Sequence, residues 1–306
     1  LSWSIEPPTT LGQALTTAKS ILGSSLVLRR RGVVETEAEQ IVQGVLQISS
    51  RMDLFSDPSR KIELNQGEKV LEIALRRSGG EVLQHLLGHQ QFLDHLFSVD
   101  ASTLVPRPET EVLAAAVIEY LGELKKHGAR KITALEVGVG TGAIAISMLH
   151  ASPELKMLVS EISPEARKLC KKNAQKILGS LERLQVLPVQ NASDVFEPFV
   201  SVLSPVDLVD LIVSNPPYLI QEDEIDPEVR AHEPAAALFA PIEDALYFYR
   251  RIAEQAGSLL RPEGRIYLEI PHQRRDAIEL LFKTQEWKVE VLTDLQKVPR
   301  VLIANR

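Results

Sequence analysis

Residues 210–219 read DLIVSNPPYL, an apolar run that breaks off on Asn215, Pro216, Pro217 and Tyr218. Two successive prolines cannot donate to a sheet ladder, so the strand must end there. The side-chain oxygen of Asn215 and the carbonyl of Pro216 are two acceptors at a fixed spacing. Together they can take both N–H bonds of a planar –NH2 group. Proline restricts the backbone and so pre-orients the pair. Tyr218 adds a flat face for an amide or a cation. Asn-Pro also opens ordinary turns, but this tetrapeptide should arise by chance in only about one chain in a thousand of this length.

A second group lies upstream, in LEVGVGTGAIAI, where Gly138, Gly140 and Gly142 fall at a strand-to-helix turn. Glycine there lets the backbone take positive φ and approach a ligand closely. The next strand ends on Glu161, 23 positions after Gly138, where a carboxylate can accept hydrogen bonds from ribose hydroxyls. Gly138, Gly140 and Ala143 also satisfy the dinucleotide pattern in its Gly/Ala form, which keeps a nicotinamide-dependent oxidoreductase open. The glycines point to a nucleoside without saying which.

These groups need elements to carry them. Residues 1–90 read as helices: Ala38, Ile41, Val42, Val45, Leu46 and Ile48 recur at helical spacing. Asn65 with Glu68 resembles a capping box, and the helix behind it stops at Gly79-Gly80. Residues 91–107 read as a hairpin linker with its turn at Asp100-Ala101-Ser102. A long helix then starts at Pro108. From Lys131 strands and helices alternate: KITALEVG, KMLVSEIS, RLQVLPVQ, DLIVSN and GRIYLEI are strands with helical runs between most of them. WKVEVLTDL and PRVLIANR close the chain as two strands joined by a short turn. The expected fold is α/β: a mostly parallel, seven-stranded sheet with an antiparallel edge, over residues 108–306.

Composition limits the functions available. The chain has 306 residues, 44% hydrophobic and 25% charged, with a formal net charge of −7. That balance argues against nonspecific binding to nucleic acid or a membrane surface. Cys170 is the only cysteine, so a disulfide framework is ruled out and a reducing, cytoplasmic setting is expected. No apolar run reaches the roughly 18 residues of a membrane span. The opening LSWSIEPPTTLGQ lacks the charged and apolar regions of a signal peptide, and lacks a starting Met. His85, His89 and His95 cluster without an acidic partner at ligand spacing, so no metal site is expected. Arg29–Arg31 and Lys171-Lys172 read as solvated faces.

With the glycine turn, the Asn-Pro-Pro-Tyr run resembles class I, Rossmann-like methyltransferases that use S-adenosylmethionine to methylate an exocyclic or amide nitrogen. LVPRPETEVL and DPEVRAHEPAAAL narrow the resemblance to the HemK-type glutamine methyltransferases, which modify the Gly-Gly-Gln motif of peptide-chain release factors. It extends over nearly the whole chain, to the closing DLQKVPRVLIAN. It implies that Glu136 and the Gly138, Gly140, Gly142 turn hold the methionine part of the cofactor. Glu161 would bind the ribose, and Asp194 would lie by the adenine. It implies too that Asn215 and Pro216 grip the glutamine amide, with Pro217 and Tyr218 packed against it, and that Arg107 and Glu109 shape the pocket. Residues 1–90 would then recognise the protein substrate.

Two positions depart from the family pattern. Glu136 stands where Asp is usual. Ala240-Pro241 and Asp244-Ala245 replace a Gly-Gly and an Asp-Gly pair, giving a stiffer loop. The expected reaction is methyl transfer from a sulfonium to a side-chain amide nitrogen, with no metal and no nucleophilic residue. Related chemistries are a ribosomal-protein glutamine or an adenine base as target; a binding protein that only keeps the nucleoside pocket is a third possibility. An adenine enzyme would be expected to carry a basic surface or an inserted recognition segment.

Overall fold

The computed structural model describes residues 6–128, 131–189, 195–204, 207–241 and 244–306. They fall into two compact units, Leu1–His89 with Asp226–His232, and Gln90–Ile225 with Glu233–Arg306.

The first unit holds α1 (Leu11–Ser24), α2 (Leu26–Arg31), α3 (Val34–Leu46), α4 (Asp53–Ser56), α5 (Leu64–Ser78) and α6 (Leu83–Leu87). Helix α1 buries Leu11, Ala14, Leu15, Ala18, Ile21 and Leu22, the spacing of one helical face, against α3 and α5. The cap of α5 differs from the sequence expectation. The capping box is Glu63 with Gln66, whose side-chain oxygen accepts from the Glu63 N–H at 3.0 Å. The helix therefore starts ahead of Asn65. It does stop at Gly79, and α6 stops at Gly88 with φ +75°.

The second unit begins with the hairpin β1 (His89–Phe92) and β2 (His95–Ser98). Its turn is Leu93-Asp94, not Asp100–Ser102. Leu93 takes φ +47°, held by its N–H to the Glu111 carboxylate at 2.8 Å. Asp100–Ser102 is a separate turn beyond the hairpin, where the Asp100 carboxylate accepts from the Ser102 N–H at 2.9 Å.

Then follow α7 (Pro108–Lys126), β3 (Ile132–Val137), α8 (Ala143–Ala151), β4 (Leu155–Glu161), α9 (Pro164–Leu178), β5 (Leu184–Pro188), α10 (Glu197–Val200) and β6 (Val209–Ser214). After α11 (Pro227–His232) come α12 (Ala235–Leu238), α13 (Tyr247–Gln255), β7 (Leu260–Glu269), α14 (Arg275–Thr284), β8 (Lys288–Thr293) and β9 (Pro299–Asn305).

The sheet runs β5-β4-β3-β6-β7-β9-β8, parallel from β5 to β7 and antiparallel over β9 and β8. The antiparallel edge is as expected, though the final strand lies inside and β8 forms the border. Two apolar clusters pack in this unit, one around Phe97, Leu113 and Met148, the other around Phe199, Tyr249 and Trp287. The chain leaves β3 toward β4 and β5, then returns to β6 on the other side. That reversal opens a crevice at the C-terminal ends of β3 and β6.

Helix α11 belongs to the first unit. Arg31 pairs with Asp226 and Glu228, and the buried Arg77 pairs with Glu228 and with both oxygens of Glu37. Arg29, Arg30 and Arg31 are all exposed, in keeping with a solvated face, and Arg31 in addition holds the ion pairs with Asp226 and Glu228. Among the described residues, no helix is long and apolar enough to cross a membrane.

Candidate functional site

Parallel pairing sets the site. Val137 lies opposite Ser214 in the β3–β6 register, and the Ser214 hydroxyl donates to the Val137 carbonyl at 2.8 Å. Gly138 and Asn215, the next residues on each strand, therefore emerge side by side. Gly138, Gly140 and Gly142 have φ of +75°, +53° and +85°, which L side chains rarely adopt. Gly142 has a further reason to lack a side chain. A Cβ there would stand 2.6 Å from Ile146 Cδ1 and 2.9 Å from Cys170 Sγ.

Glu161, at the end of β4, folds back on this loop. One carboxylate oxygen accepts from the Gly140 N–H at 3.0 Å, the other from the Ser163 N–H at 2.9 Å. Glu136 is 1% exposed, and its Oε2 has no partner within the protein. Burial holds its carboxyl well above the ordinary range; the Ala145 N–H at the start of α8 opposes that shift and the Glu161 charge adds to it.

These groups line a cavity of about 370 Å3. It gathers Glu136, Gly138, Gly140, Glu161, Asn215 and Pro216, joined by Pro217 and Arg107. Thr103 and Ser160 also line it, and their hydroxyl oxygens are buried without protein partners. Three other expected residues are not on the wall. Gly142 serves the loop and the helix packing behind it. Tyr218 packs against the apolar cluster around Tyr249, and burial pushes its hydroxyl up to about 12. Glu109 is part-exposed, 3.8 Å from Arg300. Asp194 lies outside the described residues.

Sequence reasoning left three nearby residues without a role: Thr110 on the cavity wall, and Glu233 and Glu269 behind it. Thr110 Oγ1 accepts from Asn215 Nδ2 at 3.2 Å. Glu233 has a side chain with 0% exposure, and both of its oxygens accept from Arg107 Nη2, at 2.8 and 2.9 Å. Glu269 ends β7 beside the Asn215 strand. Its carboxyl is pushed up to about 7 by burial, and its Oε2 is buried without a hydrogen-bond partner. The signal for Glu269 was available: an acid at the C-terminal end of a parallel strand, as at Glu161. Thr110 and Glu233 lay inside quoted motifs, but their partners are distant in sequence.

The loop that departs from the family pattern is accommodated. The Ala240 N–H donates to the Leu219 carbonyl at 2.8 Å, and the Leu219 N–H donates to Leu238 at 3.1 Å. None of Ala240, Pro241, Asp244 or Ala245 takes a positive φ, so Cβ atoms and a proline ring are compatible with this path. Pro241 itself reaches the cavity wall.

Among the described residues, no group of three or more His, Cys, Asp or Glu could hold a metal ion. The arrangement suits a nucleoside-bearing cation next to a planar amide: buried carboxylates and a glycine loop on one strand end, paired acceptors on the neighbouring one.

Residues 117–232 match the Methyltransferase small domain family. A release factor glutamine methyltransferase of Deinococcus radiodurans is 35% identical over 285 residues, 91% of this chain and 94% of the relative. Another, of Bacillus anthracis, is 30% identical over 287 residues, 92% and 96% of the two chains. One from Koribacter versatilis is 31% identical over 84% of this chain and 86% of its own. Among solved structures, the hMettl16 catalytic domain in complex with a MAT2A 3′UTR hairpin superposes with a TM-score of 0.51 at 16% identity, covering 81% of this chain and 83% of that one. At that identity the likeness is one of fold.

Proposed function

This chain belongs to the release factor glutamine methyltransferase family, and from that membership we propose that it methylates the side-chain amide nitrogen of the glutamine in the Gly-Gly-Gln motif of peptide-chain release factors. The observation that carries the reading is the orientation of Asn215. Its Nδ2 donates to Thr110 Oγ1, which leaves the side-chain oxygen as an acceptor, and Asn215 and Pro216 both line the cavity.

The methyl donor is S-adenosylmethionine, which supplies, when bound, an electrophilic methyl on a sulfonium. The residues present fit it. Glu136, Thr103 and Ser160 line the cavity and each has a buried polar atom without a protein partner, next to a glycine loop that keeps the backbone open to close approach. Glu136 and the Gly138–Gly142 loop hold the methionine part, and Glu161 keeps acceptor capacity for the ribose hydroxyls.

An amide nitrogen is a poor nucleophile because its lone pair is delocalised. Asn215 Oδ1 and the Pro216 carbonyl accept its two N–H bonds, draw electron density toward nitrogen and hold it in line. As nitrogen gains the methyl, one amide proton leaves to water. Positioning of this kind can lower a barrier by several kcal/mol. The Arg107–Glu233 pair keeps the cavity rim in place, and Pro217 and Tyr218 support the strand end behind it.

The helical unit recognises the release factor in this reading. Leu26 and Val27 on α2 support it, since both are more than half exposed on that unit. Leu26→Ser with Val27→Ser should raise KM for the intact release factor and leave cofactor binding unchanged.

The test of the reaction is transfer of a radiolabelled methyl from S-adenosylmethionine to purified release factor, beside the same factor with Gly-Gly-Ala in place of Gly-Gly-Gln. Label on the first alone is expected. Bound cofactor with label on neither overturns the substrate assignment.

A further inference from the structure

Asn173 is fully buried on α9, and the chemistry described so far gives it no task. Its side chain makes three hydrogen bonds, all to backbone. Oδ1 accepts from the Ser98 N–H at 2.8 Å, while Nδ2 donates to the Ser98 carbonyl at 3.0 Å and to the Thr141 carbonyl at 2.9 Å. Each partner can play one role only, since an N–H donates and a carbonyl accepts. The direction of this amide is therefore fixed, and both Nδ2 hydrogens are spent. Toward Ser98 the side chain presents the donor and acceptor of a peptide group, and so pairs with the end of β2 as a neighbouring strand would.

Both partners lead to the cavity. Thr141 lies between Gly140 and Gly142, on the wall itself. Ser98 comes just before the turn at Asp100, whose carbonyl accepts from the Thr103 N–H at 3.3 Å. That turn delivers Thr103 to the wall, with its hydroxyl buried and without a protein partner. The rest of this α9 face also backs the loop: Ala166 lines the cavity, and Cys170 sits where a Cβ on Gly142 would strike. We propose that Asn173 is a positioning residue that locks the glycine loop to the Ser98–Thr103 segment, and so sets the fit of the S-adenosylmethionine site that both line. This rests on the reading of the cavity as the cofactor site. Lys176, one turn further along α9, ties the same hairpin, its Nζ donating to the Leu96 carbonyl at 2.8 Å. That tie stops at β2 and does not touch the loop, so it shows what a bond serving the fold alone would do.

The experiment titrates S-adenosylmethionine calorimetrically into wild type, Asn173→Asp and Lys176→Met, with circular dichroism to confirm that each is folded. Asn173→Asp keeps the acceptor for the Ser98 N–H but sets a carboxylate oxygen against two carbonyls. Its affinity should fall by about 10- to 100-fold. Lys176→Met should bind as wild type does. Wild-type affinity in Asn173→Asp, or an equal loss in both variants, would overturn the proposal. A further readout separates positioning from a general loss of stability. Thr103→Val should weaken binding on its own yet add little on top of Asn173→Asp, because both act on one contact; two losses that add in full overturn the proposal. A measurement on the wild-type protein needs no variant to fold. Coupling is reciprocal, so saturating S-adenosylmethionine should slow hydrogen exchange at the Ser98 amide more than at the β8 amides. An equal change at both overturns the proposal. Absence of S-adenosylmethionine binding to wild type overturns the functional reading of the cavity instead.

Discussion

Arg107 Nη2 donates to both carboxylate oxygens of Glu233, at 2.8 and 2.9 Å, across 126 residues of sequence. The pair joins the two motifs, PRPETE and HEP, that frame the cavity. Arg107 immediately precedes α7, and Glu233 immediately precedes the Pro234–Phe239 stretch of cavity wall. Because the Glu233 side chain has no exposed surface, its charge depends on buried partners.

Arg107→Met should therefore lower stability by about 3 kcal/mol, the low end for breaking a buried pair, since the arginine is partly exposed. Thermal unfolding followed by circular dichroism would register it. A melting temperature equal to wild type would mean that the pair contributes nothing.

Asn215→Ala should leave S-adenosylmethionine binding within a few-fold of wild type and cut kcat by about 10²- to 10³-fold, the usual effect of deleting one preorganised polar contact at a reacting group. Asn215→Asp should be no better: it keeps an oxygen but puts a negative charge beside Glu269 and Thr110. Cofactor titration alongside a single-turnover transfer assay separates the two effects. Loss of binding without loss of the chemical step would move Asn215 to a cofactor role.

Much of this was legible in the sequence, for physical reasons. The alternation of β-run and helical run fixed seven strands in chain order, and the glycine turn, Glu161 and Asn215–Pro216 were each placed by the end of a parallel strand. What was missed depends on contacts that no period encodes. The hairpin turn carries Leu93 at positive φ with no Gly or Asn to announce it, held instead by Glu111 from α7. The capping box slipped by two residues because Glu63, an unusual cap, outcompeted Asn65. β9 inserts between β7 and β8, which a short connection between consecutive strands leaves undecided. Arg107–Glu233 and Asn215–Thr110 are long-range pairings, visible only once the sheet has brought its strand ends together.

Glu136 gives a pH dependence with a definite sign. Burial raises its folded pKa, so the free protein holds this carboxyl protonated above the usual carboxylate range. The positively charged donor favours the ionised form, so binding should release a proton and tighten as pH rises. Calorimetric titrations at one pH in two buffers of different ionisation enthalpy would count the protons released. Glu136→Gln should bind more weakly and with no proton release from this group; unchanged proton release in that variant would move the linkage elsewhere.

Gly142→Ala tests whether the glycine loop is also a packing joint. Alanine must adopt φ +85°, and its Cβ would be driven to within 2.9 Å of Cys170 Sγ and 2.6 Å of Ile146 Cδ1. Neither neighbour is the loose end of a flexible side chain: Cys170 and Ile146 are both buried in the same core cluster. Left-handed backbone strain of about 1 kcal/mol and overpacking of about 1–3 kcal/mol should add, because both act at one site and neither relieves the other. Cys170 supplies an internal reporter. Burial raises its thiol pKa well above the ordinary value, so in the wild-type protein it should be inert to thiol-directed reagents under native conditions. In Gly142→Ala the displaced α8–α9 packing should make it react at a measurable rate before global unfolding, with cofactor affinity falling in parallel. A variant with native melting temperature and an unreactive Cys170 would show that the loop has room for a methyl, and that Gly142 is required for neither packing nor backbone conformation.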